Sequence, residues 1–78
     1  MHFVYSLASE DDIHWYVGTT DNVERRLREH NSGKCTHTNK YKPWILKSYT
    51  AFSDRSRAEA FERYLKSHSG RAFARKHL

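Results

Sequence analysis

Two short apolar and aromatic stretches, HFVYSLA at residues 2 to 8 and IHWYVG at residues 13 to 18, are separated only by the polar SEDD. A turn that short joins antiparallel strands, so the spacing predicts a β-hairpin at the start of the chain. Alternation puts Phe3, Tyr5 and Leu7 on one face of the first strand and Val4 on the other. The pairing is expected to bring Tyr5 and Tyr16 near one another.

Beyond the hairpin the period changes. Asp21 and Glu24 have the spacing of a capping box, and Val23, Leu27 and the aliphatic stem of Arg26 then fall on a helical stripe that ends at Asn31, Ser32 and Gly33. Arg26 and His30 stand one turn apart on this helix. Residues 34 to 42 are polar and basic and lead to Pro43, the only proline, so they read as a loop. WILKSYTAF at residues 44 to 52 reads as a third strand. Ser53 or Asp54 caps a second helix carrying Ala58, Phe61 and Leu65 on its apolar side. Gly70 interrupts that pattern, and Ala72, Phe73 and Leu78 allow a last short helix with Arg71, Arg75, Lys76 and His77 outside. The expected fold is α+β, a small three-stranded antiparallel sheet flanked by helices, with the third strand either central or at an edge.

Seventy-eight residues are enough for one domain over residues 1–78, and a chain of this size buries only about 60% of its unfolded surface. Eleven aromatic residues can still supply a core, although the hydrophobic fraction is only 37%. The formal charge of +5, concentrated after residue 25, suits polyanions, with a merely solubilising surface as the plainer reading. One cysteine, Cys35, excludes an internal disulfide and fits a reducing compartment. No apolar run approaches the ~20 residues of a bilayer span, so a soluble, cytoplasmic protein with no membrane partner is expected. Six histidines invite a zinc site, but there is no CxxC pair and no second pair of ligands at finger spacing.

Tyr5 and Tyr16 could be plain strand aromatics, and Arg26 with His30 a solvated helix face. Together, though, a phenol, a guanidinium and an imidazole suit work on a phosphodiester. Glu62 could be a surface charge paired with Lys66 at i+4. With Ala58 one turn before it and Leu65 nearly one turn after, it instead lies along the buried stripe, where a lone carboxylate is costly. A divalent cation or a pair of donors would remove that cost.

In this order and with these gaps, the residues resemble the GIY-YIG nuclease family. Phe3-Val4-Tyr5 stands for the first signature tripeptide, with Phe3 in place of glycine and Val4 in place of isoleucine, and Tyr16-Val17-Gly18 for the second. Thr19 or Thr20, Arg26, His30-Asn31, Thr38, Pro43-Trp44, Ala58, Glu62, Leu65-Lys66 and Gly70-Arg71 follow, so the resemblance covers nearly the whole chain. It is similar to the minimal single-domain branch, whose members resemble the N-terminal nuclease module of the nucleotide excision repair endonuclease. The resemblance implies hydrolysis of a DNA phosphodiester with one divalent metal, Mg²⁺ or Mn²⁺, held by Glu62. It makes Tyr16 the general base or the group aligning the attacking water, and Tyr5 a group orienting water or phosphate. Arg26 would stabilise the charge growing on the phosphoryl oxygens, and His30 would assist proton transfer or bind phosphate. Lys34, Thr38, Lys40, Lys42, Lys66 and Arg71 are the expected DNA contacts, through phosphates rather than bases.

The leading expectation is therefore a metal-dependent DNA endonuclease of repair or recombination. The alternatives are a non-catalytic nucleic-acid binding module of the same fold and an interaction domain that docks a repair complex through Trp44 and its C-terminal basic helix, against the plainer reading of Trp44 as a core residue. A nuclease cutting both strands could act as a weak homodimer, although no coiled coil or apolar patch announces one.

Overall fold

The computed structural model describes residues 1–78. Strands β1 (His2–Ser9) and β2 (Trp15–Thr20) form the expected hairpin, followed by α1 (Val23–Asn31), a single 3-10 turn at Asn39–Tyr41, β3 (Trp44–Phe52), α2 (Arg55–Lys66) and α3 (His68–His77). The sheet order is β2-β1-β3, all antiparallel, so β1 is central and β3 is an edge. Sequence alone leaves that order open, because both strands can pair with β1.

The two-residue period of β1 divides the core. On one side Val4 packs with Val17, Ala58, Leu65 and Ala74 beneath α2 and α3. On the other, Tyr5 and Leu7 pack with Trp44, joined by Tyr16, Leu27 and Leu46 beneath α1. Register places Tyr5 opposite Gly18 and Leu7 opposite Tyr16, which puts both tyrosines on the α1 side. Trp44 is buried and donates its indole N–H to the Thr38 carbonyl at 2.8 Å, closing the 34–42 loop onto the core. Trp44 is thus the core residue of its plainer reading, and its ring is an internal anchor with no surface for docking.

Two boundaries differ from the sequence reading. Asn22, not Asp21, caps α1, its side chain accepting from the Arg25 N–H, while Asp21 pairs with the Arg25 guanidinium. Gly70 does not separate the last two helices. Ser67 does, ending α2 and capping α3 by accepting from the Gly70 N–H. Gly70 sits buried in the first turn of α3, where a Cβ would fall on the Tyr64 carbonyl oxygen. The helix corner thus needs a missing side chain, and the left-handed backbone freedom of glycine plays no part in it.

Candidate functional site

The chemistry-bearing residues gather first around His30, which is completely buried on the last full turn of α1. Its Nε2 meets the Tyr5 hydroxyl at 2.8 Å and its Nδ1 meets the Thr38 hydroxyl at 2.7 Å. Thr38 donates its own hydroxyl to the Cys35 carbonyl at 3.4 Å, which leaves its oxygen to accept from Nδ1–H. Nε2 then accepts from Tyr5, and the imidazole is held as one neutral tautomer. Burial pushes the His30 pKa below its ordinary value, and the nearby Arg26 charge adds to that. Buried and hydrogen-bonded at both ring nitrogens, His30 has no surface for the direct phosphate contact that was one of its two expected roles.

Tyr5 is buried too, and burial is the main reason its hydroxyl titrates far above the usual tyrosine value, against the opposing pull of Arg26. A phenol so hard to ionise keeps its proton. Tyr16 is the less buried of the pair, with its ring 6.2 Å from Tyr5 and edge-on to His30 at 4.9 Å. Gly18 makes this packing fit: a Cβ there would lie 2.6 Å from the Tyr5 hydroxyl and 3.0 Å from the Tyr16 ring. The glycine of Tyr16-Val17-Gly18 is thus a spacer for the two tyrosines. Arg26 lies beside the Tyr5 phenol and is anchored by Glu29 at 2.9 Å, which, ahead of Tyr5, keeps the guanidinium firmly charged.

Glu62 approaches from the other layer. Its Oε1 accepts from the Thr19 hydroxyl and its Oε2 from Lys66 at 2.7 Å. Thr19 pairs with Val4 and so shares the α2 side of the sheet, the face opposite the tyrosine pair. Burial alone would raise the Glu62 pKa, but the Lys66 and Thr19 hydrogen bonds outweigh it and keep the carboxylate ionised. The pair of donors is what stabilises this half-buried charge. About four lone-pair positions belong to a carboxylate and two are used here, so Glu62 can still offer an oxygen to a hydrated ion. No three His, Cys, Asp or Glu side chains converge. The donor set thus fits Mg²⁺ or Mn²⁺ keeping most of its waters, and no all-protein metal cage.

The expected DNA contacts are not gathered into one patch. Thr38 is buried, its hydroxyl oxygen accepting from His30 and its carbonyl from Trp44, so its assignment as a DNA contact is corrected to support of the site from within. Lys34 is exposed beyond α1. Lys40 and Lys42 border a polar groove with Ser9, Glu10, Asp11 and His14. Lys66 is engaged by Glu62, and Arg71 lies on α3, along a different groove. Two supports were named in the sequence reading only as matching positions, without a role. Thr19 holds Glu62, and the Asn31 side chain brackets the Trp44 backbone, giving to its carbonyl at 3.1 Å and taking from its N–H, which pins the His30 end of α1 to β3. A threonine directly after Gly18 and an asparagine directly after His30 were the only signals, and neither names its partner.

A hairpin whose tyrosines meet an arginine and a histidine from the next helix, with a glutamate from a later one, defines a nuclease-type fold, and the model of the GIY-YIG catalytic domain matches residues 1–76. The chain belongs to the GIY-YIG family. Its relatives are small UPF0213 proteins. The chain is 38% identical over 69 residues to UPF0213 protein HQ_3675A of Haloquadratum walsbyi, covering 87% of this chain and 76% of that one. It is 33% identical over 66 residues to UPF0213 protein YazA of Bacillus subtilis, covering 83% and 66%. The solution NMR structure of UPF0213 protein BH0048 from Bacillus halodurans superposes with a TM-score of 0.58 at 32% identity, over 96% of this chain and 82% of that one.

Proposed function

We propose that this protein is a divalent-metal-dependent DNA endonuclease that hydrolyses phosphodiester bonds with one metal ion. The observation that carries the reading is the Tyr5–His30–Thr38 hydrogen-bond chain, with Tyr16 packed against His30 and the charged Arg26 beside Tyr5. Buried polar groups wired this completely set the geometry of their neighbours, which is what an in-line attack on phosphorus requires. Tyr16 aligns the attacking water or takes its proton as general base. Tyr5, keeping its proton, acts as a hydrogen-bonding group and not as a base. Arg26 stabilises the charge on the phosphoryl oxygens. Glu62 holds the ion, which supplies Lewis acidity at the leaving oxygen when bound.

A role in repair or recombination, in the cytoplasm, follows from the same reading. The test incubates the protein with branched, nicked and duplex DNA in Mg²⁺, in Mn²⁺ and with EDTA. Cleavage that needs metal and disappears in Glu62→Ala supports the proposal. Equal cleavage by wild type and Glu62→Ala, or none with any metal, leaves the non-catalytic binding module in its place.

A further inference from the structure

One groove lies on the α3 side of the sheet, away from the tyrosine pair. It has a volume of about 620 Å³ and is lined by Ile13, Trp15, Lys47, Arg71 and Arg75 around the buried floor of Ala8, Val17 and Ala74. Trp15 is 40% exposed and Ile13 74% exposed, although both are large and apolar. Lys47 reaches the groove because it is the extra residue where the β1–β3 register slips between Ser6 and Leu7, and such a bulge re-aims a side chain. Three cations face one carboxylate, Asp12. None of the three forms an ion pair within the chain.

We propose that this groove binds an unpaired DNA strand, with a base stacked on Trp15 and its phosphates held by Arg71, Arg75 and Lys47. An exposed indole flanked by free guanidinium groups provides both halves of single-strand recognition, a π surface and a cationic track. Bases in a duplex cover one another's faces, so only an unpaired base can reach Trp15. The groove shares a face of β2 with the residue that holds Glu62. Trp15, Val17 and Thr19 share one face of β2, and Thr19 holds Glu62. Four residues of strand place the indole about 13 Å along β2 from that carboxylate. The inference rests on the nuclease reading and gives it a substrate class, DNA with an unpaired segment beside the cut.

The test is binding of a fluorescein-labelled dT12 oligonucleotide by anisotropy, with tryptophan fluorescence read in parallel. Trp44 is buried, so dT12 should quench wild type through Trp15 and leave Trp15→Leu unquenched, with affinity about tenfold weaker. Replacing Arg71 and Arg75 by Gln should lower the log–log salt slope by about 1.4. Both arginines are exposed, so this variant should keep the wild-type circular dichroism spectrum even if Trp15→Leu does not. Variants that bind dT12 as tightly as wild type overturn the proposal, as does equal quenching by a decaglutamate peptide, which would make the groove a site for acidic protein. Quenching by dT12 without cleavage of any DNA leaves the groove standing and removes the nuclease. Cleavage with dT12 binding indifferent to all three substitutions removes the groove alone.

Discussion

Gly18→Ala is the most discriminating substitution in this molecule. Glycine weakens a strand interior, and alanine at an ordinary strand position should stabilise by about 0.5–1 kcal/mol. Here the new methyl would sit 2.6 Å from the Tyr5 hydroxyl, where ordinary contact begins at 3.4 Å, so the phenol must retreat by about 0.8 Å. Tyr5 is 2% exposed and hydrogen-bonded to a fully buried histidine, so it has nowhere to go without loosening that bond. Overpacking of this kind costs about 1–3 kcal/mol, and the net loss of up to about 2.5 kcal/mol lowers Tm by up to about 15 °C in a domain of this length. A reactive group misplaced by nearly 1 Å should also cut the cleavage rate by about 100-fold. Thermal melts followed by circular dichroism and a single-turnover cleavage assay measure both. Adding Tyr5→Phe removes the closest atom, so the two substitutions together should destabilise by less than the sum of each alone, by about 0.5–1 kcal/mol. An unchanged or raised Tm in Gly18→Ala, with full activity, would refute the spacer role and with it the fixed position of Tyr5.

Gly70→Ala should act in the same direction and more strongly, lowering Tm by at least about 10 °C, because its Cβ meets backbone at Tyr64 rather than a side chain that can turn; an alanine-stabilised helix in the same melts would contradict this. Thr38→Val leaves Nδ1–H of His30 without an acceptor, and urea unfolding should show a loss of about 1–3 kcal/mol, with cleavage reduced although the side chain touches no solvent. Because the folded state depresses the His30 pKa, the unfolded chain binds the extra proton first. The His30 contribution is therefore complete above the ordinary value of 6.5 and is lost as pH falls below it, so His30→Gln should flatten the pH dependence of stability between pH 7 and 5. Glu62→Gln should lower cleavage by at least about 100-fold while Tm moves by only a few degrees, since its pairing with the exposed Lys66 contributes only about 0.3–0.5 kcal/mol; similar rates for the two proteins would remove Glu62 from the chemistry.

What the sequence determined by itself is whatever a short-range period can carry. The two-residue alternation of the hairpin put Tyr5 and Tyr16 on one face, the helical spacing put Arg26 and His30 on one side of α1, and the stripe through Ala58 and Leu65 made Glu62 half-buried, all as observed. The tertiary structure decided everything that depends on contacts between distant segments. Which donors reach Glu62 turned on Thr19, 43 residues away, and whether Thr38 faced DNA or His30 turned on how the 34–42 loop closed over Trp44. The central place of β1, the need for glycine at positions 18 and 70, and the groove beside Trp15 belong to the same class. Periodicity reports which face a side chain takes, whereas the atoms it meets there are set by packing between layers, where a single methyl group or hydroxyl decides the outcome.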